Sequence, residues 1–159
     1  MELDELMAAF AAETKLEGLA PDSEGVYQLN IDDMVVAFRE DANERRLVTE
    51  SEVCTLADKG AQCIYQVLFE AMFLGQVTGD GWFAFAPDSD RVLFQRSDYL
   101  DLLDLEKFKA MLEDFLNRVE QWRHSLGEFR KVVNELETST AATPDGGLSR
   151  QDASDFIRI

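Results

Sequence analysis

The first residues of the chain carry apolar side chains at helical spacing. Residues 2–17 place these side chains three and four positions apart, and acidic residues lie largely between them. The apolar positions are Leu3, Leu6, Met7 and Phe10. Because this spacing puts them on one face, the segment is predicted to be an amphipathic helix. Gly18 and Pro21 follow, and both residue types are typical of a helix end.

The pattern then changes to the period of β-strands. Residues 26–31 alternate apolar and polar positions, which predicts a strand with one buried face. Residues 34–38 are apolar throughout, so both faces of that strand are expected to need cover. A third strand with a weaker pattern is predicted over 46–54. Because turn-forming Asn and Asp residues separate the three runs, we expect an antiparallel meander.

Helical periodicity returns over residues 60–77, where two apolar stripes run side by side. The first stripe consists of Ile64, Val67, Leu68, Ala71, Met72 and Leu74. The second consists of Tyr65, Phe69 and Phe73. A helix that is apolar over so much of its circumference is buried from more than one side. In so small a chain, we expect a second copy of the same chain to supply part of that cover.

A short hairpin is predicted next. Gly79-Asp80-Gly81 forms a tight turn, residues 82–86 form a strand, and residues 87–90 form the following turn. The returning strand begins at Val92. The segment 82–86 contributes three aromatic residues, Trp82, Phe83 and Phe85.

The longest signal is an apolar seam that steps by three or four residues for about nine helical turns. Asp104 precedes it and is predicted to lie in the N-cap region of the helix. The seam consists of Leu105, Phe108, Leu112, Phe115, Val119, Trp122, Leu126, Phe129, Val133 and Leu136. Residues 1–137 are therefore predicted to form one domain, and residues 138–159 a flexible tail with an apolar end at 156–159.

Taken together, the elements predict an α+β fold in the order α-β-β-β-α-β-β-α. Its centre is a twisted, antiparallel, five-stranded sheet with three helices. A length of 159 residues fits one domain with a real core, and a hydrophobic content of 46% excludes disorder of the whole chain.

Charge and segment lengths narrow the classes of partner. With 32 acidic and 15 basic residues, the net charge of −17 repels phosphate backbones and anionic membrane surfaces. The first residues do not show the basic segment followed by an apolar segment that is typical of a signal peptide. No apolar run approaches the roughly 20 residues that span a bilayer. The protein is therefore expected to be soluble and cytoplasmic, without nucleic-acid binding or membrane insertion.

Candidate chemistry is sparse. His124 is the only histidine and lies off the apolar seam, so it is expected to be a solvated surface residue. Asp32 and Asp33 are adjacent in a predicted turn, where Asp pairs are ordinary. Cys54 and Cys63 with one histidine fall short of a four-ligand zinc site, and no nucleotide-binding loop occurs. No catalysis and no cofactor are expected. Apolar surface that must be exposed or shared instead favours protein binding.

The ordered elements resemble the class I chaperones of bacterial type III secretion, the Tir-chaperone family. The resemblance is densest over residues 68–79 (LFEAMFLGQVTG) and 115–123 (FLNRVEQWR), and 25–33 (GVYQLNIDD) is similar to the family's first strand and turn. It covers roughly residues 2–136, and the tail lies outside it.

The resemblance implies a cytoplasmic homodimer that binds the extended N-terminal segment of one or more effectors and keeps it secretion-competent without ATP. The secretion ATPase is a further candidate partner. The dimer-interface candidates are Ile64, Leu68, Phe69, Met72, Phe73 and Trp82. The effector-binding candidates are Leu3, Leu6, Met7, Phe10, Val35 and Phe38, with Phe85 and Phe94 in a second groove.

Two alternatives remain open at this stage. One is a regulatory binding protein of the same fold, which sequesters a transcription regulator or a secretion component. The other is an enzyme that uses surface carboxylates with a metal ion.

Overall fold

The computed structural model describes residues 2–56, 61–75, 77–86 and 89–140. The predicted order of helices and strands is confirmed. The elements are α1 (Leu3–Thr14), β1 (Tyr27–Ile31), β2 (Met34–Asp41), β3 (Arg46–Thr55), α2 (Ala61–Met72), β4 (Gly81–Phe85), β5 (Arg91–Tyr99) and α3 (Leu105–Thr140). Short 3-10 turns follow α2 and β5, at Phe73–Gly75 and Leu100–Leu102.

The five strands form one antiparallel sheet in the order β1-β2-β3-β5-β4. β3 is the central strand and pairs with β2 and β5. β1 and β4 are the two edges. The ladder between β3 and β5 is irregular between Glu52 and Cys54, as in a β-bulge.

β2 shows which face of the sheet is buried. Val36 and Phe38 point into the core, whereas Val35 is 51% exposed. One face of residues 34–38 is therefore covered within the described chain, and the other is open at Val35. The reason is that α1 and α3 pack on the Phe38 side, where the Phe108 ring of α3 contacts both Phe38 and Phe10.

α3 contributes one long row of buried side chains to the core. Its predicted seam is buried from Phe108 to Val133. Phe115 stacks on Phe94 of β5 at a centroid distance of 5.8 Å, and Trp122 meets Phe83 of β4 edge to face at 4.9 Å. Such pairs contribute about 0.5–1.5 kcal/mol beyond the area they bury. α3 therefore packs against β4 and β5 on the same face of the sheet that α1 covers.

The helix ends differ from the predicted boundaries. α1 stops at Thr14 rather than 17, because Lys15 is left-handed (φ 57°) and the Leu16 N–H donates to the Ala11 carbonyl. α2 stops at Met72 and continues only as the 3-10 turn, which ends at Gly75 with a φ of 62°.

α3 begins as predicted, since the Lys107 N–H donates to Asp104 Oδ1 at 2.9 Å. It continues to Thr140, three residues into the predicted tail. Residues 141–159, including the apolar end at 156–159, lie outside the described residues. None of the helices in the described ranges is long and apolar enough to cross a membrane.

Candidate functional site

Large apolar side chains remain exposed on α2, on the 3-10 turn that follows it and on β4. Phe69 is 68% exposed and Phe73 is 70% exposed. α2 and β4 share one surface, because the rings of Tyr65 and Phe85 lie 5.0 Å apart between centroids. We define the α2–β4 patch as Tyr65, Phe69, Phe73 and Phe85. Trp82 is exposed on the opposite face of the same edge strand.

The two stripes of α2 explain the patch. The stripe that contains Ile64 and Leu68 faces the core, and the stripe that contains Phe69 and Phe73 faces outward. Half-buried Met72 lies between them, and its sulfur accepts the Phe83 N–H at 3.3 Å. This contact holds α2 beside the edge strand, so the patch spans a helix and a strand.

A row of polar contacts fixes Trp82 across the outer face of the sheet. The Trp82 indole N–H donates to Gln95 Oε1 at 2.9 Å, and the Gln95 amide donates to Glu50 Oε2 at 2.6 Å. Glu50 in turn pairs with Arg39 at 3.2 Å. Four neighbouring strands therefore contribute to the orientation of this tryptophan.

The dimer candidates divide by exposure. Phe69 and Phe73 lie in the patch, and Trp82 is exposed on the other face of β4. Met72 is half-buried, and Ile64 and Leu68 are in the protein's own core. Tyr65 was not among the site candidates. Its position four residues before Phe69 was the signal that could have found it.

The effector candidates divide more unevenly. Val35 and Phe85 are exposed, and Phe85 belongs to the α2–β4 patch. The other six are at most 7% exposed and pack in the core: Leu3, Leu6, Met7, Phe10, Phe38 and Phe94. In the described chain these six hold α1 against the sheet and α3, while Val35 and Phe85 offer contact surface.

A second surface feature is a cleft of about 670 Å³ where β2 and β3 approach α3. We call it the β2–β3 cleft. Its strand side includes Val35, Ala37, Glu52 and Cys54, and its helix side includes Leu126. Three arginines also line it: Arg91, Arg123 and Arg130. Sequence reasoning missed them, although Arg123 and Arg130 are seven residues apart and so share a face of α3.

The arginines of the cleft have different partners. Arg123 pairs with Asp33 at 2.9 Å, and Arg91 lies 4.0 Å from Glu52. Arg130 forms no ion pair with any described residue. Burial raises the pKa of the Cys54 thiol to about 11, and the nearby positive charge of Arg130 opposes that rise.

The residues considered for catalysis are at the surface. His124 is exposed on α3, beside a shallow depression that Asp32 and Asp33 also line. Asp33 is engaged by Arg123. Within the described ranges, no group of three His, Cys, Asp or Glu side chains could hold a metal ion.

Solved structures share this fold. The chain is 27% identical to a chain in the crystal structure of the ExsC–ExsE complex, with a TM-score of 0.66, and the match covers 78% of this chain and 96% of that one. A chain in the HopA1–SchA chaperone–effector complex is 16% identical with a TM-score of 0.61, and 76% and 92% are covered.

A third similar structure is the Yersinia pestis type III secretion chaperone SycH in complex with a fragment of YscM2. It is 22% identical with a TM-score of 0.53, and the match covers 72% of this chain and 94% of that one. No curated protein matches the sequence significantly. The model of the Tir chaperone protein (CesT) family matches residues 5–123, which is most of the chain. The resemblance found in the sequence is confirmed, and the chain belongs to the Tir chaperone protein (CesT) family.

Proposed function

We propose that this protein is a cytoplasmic chaperone of type III secretion. As a homodimer, it binds the extended N-terminal segment of one or more effectors and keeps that segment soluble and secretion-competent without ATP. The observation that carries the proposal is the apolar surface left exposed on a member of a chaperone family, above all the α2–β4 patch. A large exposed apolar patch on a folded protein marks a contact with another protein.

The α2–β4 patch is the proposed dimer interface. Phe69 and Phe73 keep about two thirds of their surface exposed. Full burial of one such side chain stabilises by roughly 1.5–3 kcal/mol, and in a two-fold dimer each contact occurs twice. On the other face of β4, Trp82 offers a separate aromatic anchor that loses little freedom on binding, because its indole already donates to Gln95.

The outer face of the sheet and its edges are the proposed client surface. An extended segment binds such a surface by adding a strand and by placing alternate side chains in apolar depressions. Val35 offers one such contact, on the outer face of β2. Binding of this kind is an equilibrium in which apolar burial offsets the ordering of the segment, so it requires no nucleotide hydrolysis.

The acidic character of the chain is consistent with this role. A net charge of −17 keeps molecules apart, so a protein with exposed aromatic rings stays in solution. The same charge weakens non-specific contacts with other acidic proteins and nucleic acids, and it leaves short-range apolar contacts in place.

Co-expression tests the proposal. The tagged chain is produced together with the product of each neighbouring gene, and the partner that co-purifies is trimmed from its C-terminus to find the retained segment. We expect a secreted protein to be held through its N-terminal segment, with no release on addition of ATP and Mg²⁺. Retention through a folded C-terminal domain, or release by ATP, would contradict the proposal.

A matched pair of variants locates the client surface. Val35→Asp should reduce the co-purified partner, because it puts a charge on the outer face of β2. Leu102→Asp changes a side chain that is 66% exposed outside both the patch and the cleft, so it should leave the complex intact. Recovery of a transcription regulator instead of a secreted protein would identify the regulatory alternative.

A further inference from the structure

The ladder between β2 and β3 ends before β3 does. Its last pair at this end is Val36 with Ser51, whereas β3 remains paired with β5 as far as Thr55. Beyond this pair, the Val35 carbonyl accepts a hydrogen bond from the Ser51 hydroxyl at 2.9 Å. Within the described residues, 52–55 therefore have a strand neighbour on one side only.

A strand with one unpaired side is a template for a further strand. Its free N–H and C=O groups bond to an extended chain that lies alongside it. Here the free side belongs to the central strand rather than to an edge, and it begins beside the β-bulge at Glu52–Cys54 in the ladder between β3 and β5. Four residues of strand extend about 13 Å, which is enough for several backbone hydrogen bonds.

The β2–β3 cleft opens at this break in the sheet. Its volume of about 670 Å³ lies within the range of pockets that enclose whole small ligands, so it has room for several side chains. Val35 and Ala37 line one wall, and Leu126 with Gly127 forms part of the α3 side. The cleft therefore combines a free strand edge with walls that are partly apolar and partly charged.

The charges in the cleft point to the chemistry of its occupant. Arg130 forms no ion pair with a described residue, although acidic residues outnumber basic ones by 32 to 15 in this chain. An arginine beside a partly enclosed cleft favours a carboxylate, which its planar guanidinium binds through two hydrogen bonds. Arg123 lies one heptad earlier on the same helix and is already balanced by Asp33.

We propose that the β2–β3 cleft binds an extended client segment as an added strand along residues 52–55, with an Asp or Glu of the client paired to Arg130. This inference rests on the proposed function and deepens it, because it specifies the client. The segment alternates apolar side chains, which face Val35 and Leu126, with at least one carboxylate. Basic side chains of a client at the same positions would be repelled by Arg91, Arg123 and Arg130.

Hydrogen–deuterium exchange of the full chain, with and without the co-purified client, tests the added strand. Those backbone amides of 52–55 that do not bond to β5 should exchange at least tenfold more slowly in the complex, while those of 46–49, already between β2 and β5, should change little. A client that binds and leaves 52–55 unchanged would overturn this inference and leave the proposed function standing. Failure to recover any client would overturn the proposed function itself.

A charge reversal tests the carboxylate. Arg130→Glu should weaken client binding about tenfold or more, because a charge-assisted pair is replaced by repulsion. Lys131→Glu makes the same change of charge one residue further along α3, outside the cleft lining, and should weaken binding less than twofold. Equal losses in the two variants, both with unchanged circular dichroism, would overturn the inference.

A peptide array identifies the client carboxylate. Fifteen-residue peptides tile the retained segment, each in its own sequence and with Asp and Glu replaced by Asn and Gln. The wild-type chain should bind at least one acidic peptide and lose its amide counterpart, whereas Arg130→Gln should bind both equally weakly. Equal binding of both forms by the wild-type chain would contradict the inference.

Discussion

Neighbouring residues of β2 have opposite roles because a strand turns alternate side chains to opposite faces. Phe38 is 1% exposed and contacts the Phe108 ring at 5.6 Å, whereas Val35 is open to solvent on the other face. One run of apolar residues thus supplies both the core and a proposed binding surface.

Stability measurements should separate these two roles. Phe38→Ala leaves a cavity in the core and should lower the free energy of unfolding by roughly 3–5 kcal/mol. Val35→Ala should change it by less than about 1 kcal/mol, because the side chain is already half exposed. Urea denaturation followed by circular dichroism measures both values. Similar losses for the two variants would contradict the assignment of the faces.

Cys54 makes stability depend on alkaline pH. Burial raises the pKa of its thiol from about 9 to about 11, so the folded chain keeps a proton that the unfolded chain has lost. The contribution is fully present below pH 9 and is lost as the pH rises through 11. This contribution to the free energy of unfolding amounts to about 2–3 kcal/mol.

The difference between wild type and Cys54→Ala isolates this effect from other titrating groups. Urea denaturation at pH 8 and at pH 11 should show a smaller loss of stability for the variant. The same loss in both proteins would mean that the Cys54 thiol does not titrate differently in the folded and unfolded chains.

At the scale of elements, the period of apolar residues predicted every helix and strand, and the ends were less predictable. Period alone places two stripes on α2, but only packing decides that Leu68 faces the core and Phe69 faces outward. The early end of α1 depends on Lys15, a residue type that seldom takes the left-handed conformation. Such outcomes depend on tertiary contacts rather than on local pattern.

Two glycines test how tightly the elements pack. Gly81 begins β4 under the Phe94 ring, and an added Cβ would lie 2.7 Å from Phe94 Cε2. Gly81→Ala should therefore cost roughly 1–3 kcal/mol. Gly127 in α3 has nothing within 4 Å of an added Cβ, so Gly127→Ala should stabilise by about 0.4–1 kcal/mol. Thermal denaturation of both variants measures the two signs, and a stabilising Gly81→Ala would contradict the packing of β4 on β5.

At the scale of the whole molecule, aromatic exposure on a strongly acidic chain is best explained by assembly. The fold, the family and the two apolar stripes of α2 were all accessible from the sequence. The β2–β3 cleft was not accessible in this way, because it depends on where the ladder between β2 and β3 stops. At that point the Ser51 hydroxyl donates a hydrogen bond to the Val35 carbonyl. No local pattern in the sequence signals such a break.

The proposed dimer has a direct test in two variants. Phe69→Asp combined with Phe73→Asp puts charges in the centre of the α2–β4 patch and should convert the dimer to a monomer. Leu102→Asp, on a side chain of similar exposure outside the patch, should leave the dimer intact. Size-exclusion chromatography with light scattering gives the masses. A wild-type mass equal to that of one chain would exclude the interface.

The central claim is that two copies of this chain hold one unfolded segment of a secreted protein. Light scattering of the complex that co-purifies from co-expression, after limited proteolysis, measures this most directly. The account predicts twice the 18.0 kDa mass of one chain plus a protected N-terminal fragment of the client. A complex of one chain with an intact folded partner, or a client with no protected N-terminal fragment, would contradict it.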